Sequence, residues 1–250
     1  MIQRIFLAAI AAGVLAGVLI SGVQAVTTTP IILQAEAYES AAPADHAAGG
    51  AALPAVFASP QTGLGPNAAT PVHEGHAHDG EAAAWAPADG IERALFTTLA
   101  NLLVGTGFAL LVVAGFALHG RPVTVATGLH WGAAGFAVFT LAPALGLPPE
   151  VPGTLAGDLT ARQLWWASAV GCAAIGLGLL AFLRHPAARV AGVVVAALPH
   201  VVGAPHPTAI GGAVPPELAG QFAASSIVVN AVFWALIGWL AAVFWRRLSA

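Results

Sequence analysis

The chain has 250 residues, 58% hydrophobic and only 8% charged, with a formal net charge of −3. A soluble domain carries about 25% charged residues, so a large soluble core is excluded. No lysine occurs, which removes a Walker or Schiff-base lysine, so no nucleotide hydrolysis can be assigned to this chain.

A bilayer span needs roughly 20 mainly apolar residues. Continuous apolar runs occupy 5–25, 94–118, 123–145, 164–183 and 222–244, and a shorter one 190–203. The short run lengthens to start at 187 if Arg189 snorkels to the interface. Only helices and closed barrels cross bilayers, and these runs do not alternate. The fold class expected is therefore all-α: a polytopic transmembrane helical bundle of six spans, or five if the N-terminal segment is cleaved. Residues 1–26 form the first transmembrane helix, 27–93 an external loop, and 94–250 a five-helix transmembrane core.

Two readings of the first segment stay open. Arg4, the apolar run after it and the small-residue site Val23-Gln24-Ala25 fit a signal peptide cleaved after Ala25. Gly13 and Gly17, at GxxxG spacing, favour a retained packing helix. Beyond it, 31–39 continues the helix past Pro30 as an interfacial stretch, and 41–85 is Ala, Gly, Pro, His and acids with almost no large apolar residue. Such a composition predicts disorder without a ligand.

That loop holds the first candidate site. His73, Glu74, His76, His78 and Asp79 lie within seven positions, with His46 upstream and Glu81 after them. Neutral imidazole suits Co, Ni, Cu and Zn, and carboxylates add hard oxygen. The absence of nearby thiolate or thioether disfavours Cu(I). Cys172 is the one cysteine, mid-span among Gly and Ala, so an internal disulfide, a CxxC site and thiolate-based soft-metal pumping are excluded and it reads as a small packed residue. A flexible His cluster captures ions weakly, because ordering it costs conformational entropy.

A selective site needs preorganisation, and polar groups at membrane depth are where to look. Gln24 lies near the outer end of the first span, Asn101 two turns into the second, His200 after Pro199 near the outer end of the fifth, and Asn230 mid-way along the sixth. These four are expected to converge on one outward-facing cavity. The competing reading for each is an interhelical hydrogen bond that holds the bundle together. His130, beside Trp131 toward the cytoplasmic end of span three, is an exit ligand or an interfacial anchor. Glu150, Asp158, His206 and Glu217 on the Pro- and Gly-rich outer loops complete an entrance, while Glu92-Arg93 and Arg162 are candidates for structural pairing.

Charge sets the orientation. Arg4, Arg121, Arg184, Arg189, Arg246 and Arg247 fall in one alternate set of segments; all eleven acids, with Arg93 and Arg162, fall in the other. The positive-inside bias places both termini in the cytoplasm and the His-rich loop outside the plasma membrane. If 190–203 did not cross, two of those arginines would lie outside.

Several stretches together resemble the CbtA-type cobalt transporter subunit family. They are Trp85-Ala86-Pro87-Ala88-Asp89-Gly90-Ile91-Glu92-Arg93 with the helix to Asn101, and Trp131-Gly132-Ala133-Ala134-Gly135-Phe136. Leu141-Ala142-Pro143-Ala144-Leu145-Gly146-Leu147-Pro148-Pro149-Glu150 and Ala161-Arg162-Gln163-Leu164-Trp165-Trp166 follow. Leu198-Pro199-His200 with Gly203-Ala204-Pro205, Pro215-Pro216-Glu217-Leu218, and Asn230 with Phe233-Trp234 close the series. The resemblance implies uptake of Co²⁺ serving cobalamin synthesis and a small single-span His-rich partner subunit. It brings no ligand list. Met1-Ile2-Gln3 lacks the early His of energy-coupling-factor Co/Ni components, so their square-planar site is not carried over.

The leading expectation is a permease subunit for Co²⁺, with Ni²⁺ the hardest ion to exclude because both share N/O ligand preferences. Its partners are the divalent ion and membrane lipid, with no nucleic acid, no permanently bound cofactor and no enzymatic activity. The alternative is a metal-binding or scaffold subunit with no pathway of its own. A haem enzyme is disfavoured, because His130 and His200 lie toward opposite faces.

Overall fold

The computed structural model describes residues 1–41, 87–208 and 211–249. Among these residues eight α-helices follow in order: α1 (Ile2–Val26), α2 (Thr28–Ala41), α3 (Ile91–His119), α4 (Val125–Phe136), α5 (Ala142–Ala144), α6 (Leu159–Phe182), α7 (Pro186–Val202) and α8 (Pro216–Arg247). A π-helical turn over Ala137–Leu141 joins α4 to α5, so Val125–Ala144 runs as one span. Its cause is local. Pro143 has no N–H to donate and its ring crowds the preceding turn, and widening the helix there accommodates both.

Among the described residues five helices are long and apolar enough to cross a membrane: α1, α3, the α4–α5 span, α6 and α8. The sixth apolar run forms α7, whose 17 residues reach about 25 Å at 1.5 Å per residue, short of a hydrocarbon core of about 30 Å. It nevertheless returns the chain to the end from which α6 starts. Trp165 near the start of α6 donates Nε1–H to the Pro199 carbonyl near the end of α7, at 3.1 Å. Midway, Gly176 and Gly192 face each other so closely that a Cβ on Gly176 would lie 2.5 Å from the Gly192 oxygen.

The main core joins α1, α3 and α8, with the α4–α5 span against α8. Small residues make the contacts. A Cβ on Gly13 would fall 2.3 Å from Thr106 Cα, and one on Gly17 2.8 Å from the Asn101 carbonyl oxygen. Gly128 and Gly132 meet α8 at Gly238 and Trp234 in the same way. Between helices in lipid, such backbone proximity supplies the dispersion contacts that a hydrophobic effect supplies in water.

The two ends differ in charge. Arg4 lies over the Trp245 ring, 3.7 Å from its centroid, and donates to the Trp245 carbonyl, so the two chain ends share one end of the bundle. His119 at the end of α3 touches Phe182 at the end of α6 there. The opposite end carries α2 and the connections 145–158 and 203–215. A second apolar cluster gathers Ile31 and Ala35 of α2 with Val151, Val214 and Leu218. An isolated bridge pairs Thr154 with Gly212. Residues 27–93, read from sequence as an external loop, thus begin with a packed helix, continuing past Pro30 as expected.

All seven described acids occupy that cap end. Arg93 of α3 holds Glu36 of α2 through both carboxylate oxygens, at 2.8 and 2.9 Å, and also Asp89.

The close contact predicts its own test. Gly17→Leu drives a side chain into the α3 backbone, and overpacking of this kind costs about 1–3 kcal/mol or more. The melting temperature of the purified protein in detergent falls by about 2–4 °C per kcal/mol. Gly22→Leu, where nothing lies within 4 Å of an added Cβ, leaves it unchanged or slightly raised, since Leu is the better helix former.

Candidate metal pathway

The contact between α1 and α3 also builds the clearest polar cluster. Gly13, Gly17 and Ser21 fall at four-residue spacing, on the face of α1 that meets α3. Ser21 donates its hydroxyl to the Gly17 carbonyl at 2.8 Å, which leaves the oxygen free to accept. Asn101 of α3 donates Nδ2–H to Ser21 Oγ at 2.9 Å and to Gln24 Oε1 at 2.6 Å. Two of the sequence candidates, Asn101 and Gln24, are therefore joined, with Ser21 as a third member. The signal for Ser21 was available in the sequence as the next small residue of the Gly13–Gly17 stripe.

Asn230 lies on α8 at the same depth. Phe233 abuts Gly105 of α3; Asn230 sits one turn nearer the cap on α8, as Asn101 does on α3. Its Nδ2 donates within its own helix to the buried Ser226 at 2.9 Å, so its Oδ1 is uncommitted among the described residues. His200 belongs instead to the α6–α7 hairpin. Its ring is half-buried with its edge to Trp165, centroids 5.7 Å apart. The Pro199 carbonyl beside it accepts from both Trp165 and the Gly203 amide. The hairpin meets the bundle at the π turn and α5, and at its other end where Phe182 lies against His119. The structure thus gathers Asn101, Gln24 and Asn230 at one level and places His200 in a separate helix pair.

The cap residues divide by partner. Glu150 pairs with Arg162, Asp158 caps α6 by accepting from the Ala161 amide at 2.7 Å, and Glu92 accepts from the Ala88 amide at 3.2 Å. Among the described residues the carboxylates of Glu39 and Glu217 take part in no hydrogen bond or ion pair, and His206 is exposed. His73, Glu74, His76, His78 and Asp79 lie outside the described residues. No three His, Cys, Asp or Glu side chains converge on a common point among those described. The Asn101 cluster offers amide and hydroxyl oxygens instead.

At the other end His130 is exposed and lines a cavity of about 380 Å³ between α3, the α4–α5 span and α6. His119, which the sequence reading did not single out, lines it too, with Trp131, Phe139, Phe182 and Trp234. The lining is otherwise largely apolar, and the two imidazoles are its titratable groups among the described side chains.

The family described as "Probable cobalt transporter subunit (CbtA)" matches residues 2–246, which is nearly the whole chain. No curated protein and no solved structure matches. Five helices able to cross a membrane agree with that description of a membrane transporter component. With its match running from the first turn of α1 to the last turn of α8, the chain belongs to the CbtA family.

Proposed function

We propose that this chain carries Co²⁺ inward across the plasma membrane, with both termini cytoplasmic, to supply cobalamin synthesis. The observation that carries the reading is the Asn101–Ser21–Gln24 cluster, set at membrane depth just below an end that bears every described carboxylate. Negative charge on that face raises the local cation concentration. His73, His76 and His78, flanked by Glu74 and Asp79, capture the ion from outside. Glu39, Glu217 and His206 pass it toward the bundle, with Glu150 held in its pair with Arg162.

Inside, the ion exchanges water for the oxygens of Asn101, Gln24 and Asn230. Amide oxygens bind a divalent ion weakly enough to release it, as conduction requires. His200 adds an imidazole at the outer end of the hairpin, and His130 receives the ion at the opposite mouth. Co²⁺ is cargo here; the chain holds no resident cofactor and performs no enzymatic reaction. A small single-span His-rich subunit completes the complex. Ni²⁺ is the competing ion, since affinity order alone ranks it above Co²⁺.

One observation favours a second reading, a subunit that delivers ions to another transporter. No three strong ligands converge among the described residues. Flux by the chain alone in liposomes separates the two: Co²⁺ entry supports a pathway in this chain, and none without a partner supports delivery.

Two series of variants probe the parts. Replacing His73, His76 and His78 together with Ala raises the cobalt concentration for half-maximal uptake and leaves saturating flux nearly unchanged. The loop's contribution also fades as pH falls through the reference imidazole value of about 6.5, because imidazolium has no lone pair to donate. Equal loss at every cobalt concentration would refute a capture role.

Asn101→Ala instead lowers saturating flux, by about 10- to 150-fold if one ion contact of about 1.5–3 kcal/mol is lost in the rate-limiting barrier. Asn230→Ala and His200→Ala act in the same direction. Thermal stability is the control. A purely structural Asn101 couples to Ser21 by about 0.6 kcal/mol in a double-mutant cycle while flux stays normal.

A further inference from the structure

The arginine-bearing end holds a cleft that the transport reading does not use. It has a volume of about 630 Å³ and is lined by Arg4, Arg121 and Arg246, with Phe116, Val123 and Trp245 among its apolar walls. Three guanidinium-bearing residues share this space, and none of them forms an ion pair among the described residues. Every described acid lies at the opposite end, so no described carboxylate neutralises them.

Arg4 is preorganised. Its guanidinium stacks on the Trp245 ring, and Nε and Nη2 donate to the Trp245 carbonyl at 3.2 and 2.9 Å, with Nη2 also reaching Ser249. Nη1 has no described acceptor and remains able to donate. Arg121 and Arg246 are exposed, on the α3–α4 connection and the last turn of α8. A planar fork fixed on an aromatic ring loses little further entropy on meeting an oxyanion.

The geometry points to a site for the headgroup of an anionic phospholipid, its phosphodiester held by Arg4, Arg121 and Arg246. The cleft lies where α1 starts and α3 and α8 end, at the level where a bilayer places its phosphates. Its apolar walls, with Trp245 under Arg4, suit the boundary between headgroups and acyl chains. Basic pockets between membrane helices take such headgroups. The same cleft discriminates against zwitterionic lipids, because no described carboxylate is present to hold a choline or ethanolamine cation. A lipid seated there ties the N-terminal helix to the C-terminal one through its phosphate, reinforcing the Arg4–Trp245 contact.

The test uses the purified full chain in neutral detergent, with melting followed on addition of phosphatidylglycerol, phosphatidylcholine or inorganic phosphate. Phosphatidylglycerol at several-fold excess over its Kd raises the melting temperature by about 3 °C; phosphatidylcholine and inorganic phosphate do not. R121Q/R246Q, two exposed changes that leave Arg4 on Trp245, abolishes the shift while melting in phosphatidylcholine stays where it was. R121Q alone halves the shift or more, which keeps the test decisive if the double variant folds poorly. R184Q/R189Q removes the same charge from the same end outside the cleft and keeps the shift. The proposal is overturned if phosphatidylcholine stabilises equally, or if inorganic phosphate alone reproduces the shift, which would mark a free-anion site. It is also overturned if R184Q/R189Q loses as much as R121Q/R246Q, because the effect would then belong to the whole surface. Cobalt enters none of these measurements, so their outcome is independent of the transport reading.

Discussion

Helices surrounded by acyl chains gain little from burying one leucine against another, so this bundle depends on how closely its backbones can approach. Gly13 and Gly17 of α1 meet the backbone of α3 around Asn101 and Thr106 at distances that exclude even a methyl group. That contact sets the axial register between the two helices. Ser21 and Gln24 follow from it, because they continue the same helix toward the cap and can meet only what α3 presents at that level. The hydrogen bonds from Asn101 are consequences of the glycine contact and not its cause, being worth only about 0.6 kcal/mol each in a membrane. Gly128 and Gly132 with Gly238, and Gly176 with Gly192, repeat the device where α4 meets α8 and α6 meets α7.

The separation of charge gives the two ends different chemistry. At the cap, arginine is spent locally: Arg93 and Arg162 bind Glu36, Asp89 and Glu150. These pairs are partly exposed, and such pairs contribute little to stability. Their effect is positional, tying α2 to α3 and the 145–158 connection to α6. Glu39 and Glu217 keep an unshared charge there. The opposite end has arginines and no described acid, so its positive charge is available to phosphate. Among the described residues the chain therefore has an acidic end and a basic one, with the amides of Gln24, Asn101 and Asn230 and the hydroxyl of Ser21 between them.

Several features were legible because each rests on local composition. The apolar runs became helices; the helical extension past Pro30 became α2; the glycine spacing in α1 became a packing face. Pairing of Arg93 and Arg162 was anticipated, but Arg93 chose Glu36, 57 positions away, over its neighbour Glu92. The π turn before Pro143 was not anticipated, because hydropathy is blind to the pitch of a helix. Convergence of four polar residues was expected from depth alone. Depth does not say which helices are neighbours, and His200 lies with Trp165 in the α6–α7 hairpin while Asn101 and Gln24 face each other across α1 and α3.

The sequence by itself determined the all-helical class, the segments that become helices and the sorting of charge to alternate connections. Each of these follows from the energy of placing a residue in hydrocarbon or in water, a property of the residue and its immediate neighbours. Tertiary structure alone decided which helix faces which, that Ser21 completes the Asn101 cluster, that Arg4 settles on Trp245, and that three arginines from distant parts of the chain line one cleft. Those outcomes depend on which surfaces fit at van der Waals distance, and a dispersion contact that vanishes within an ångström leaves no trace in hydropathy.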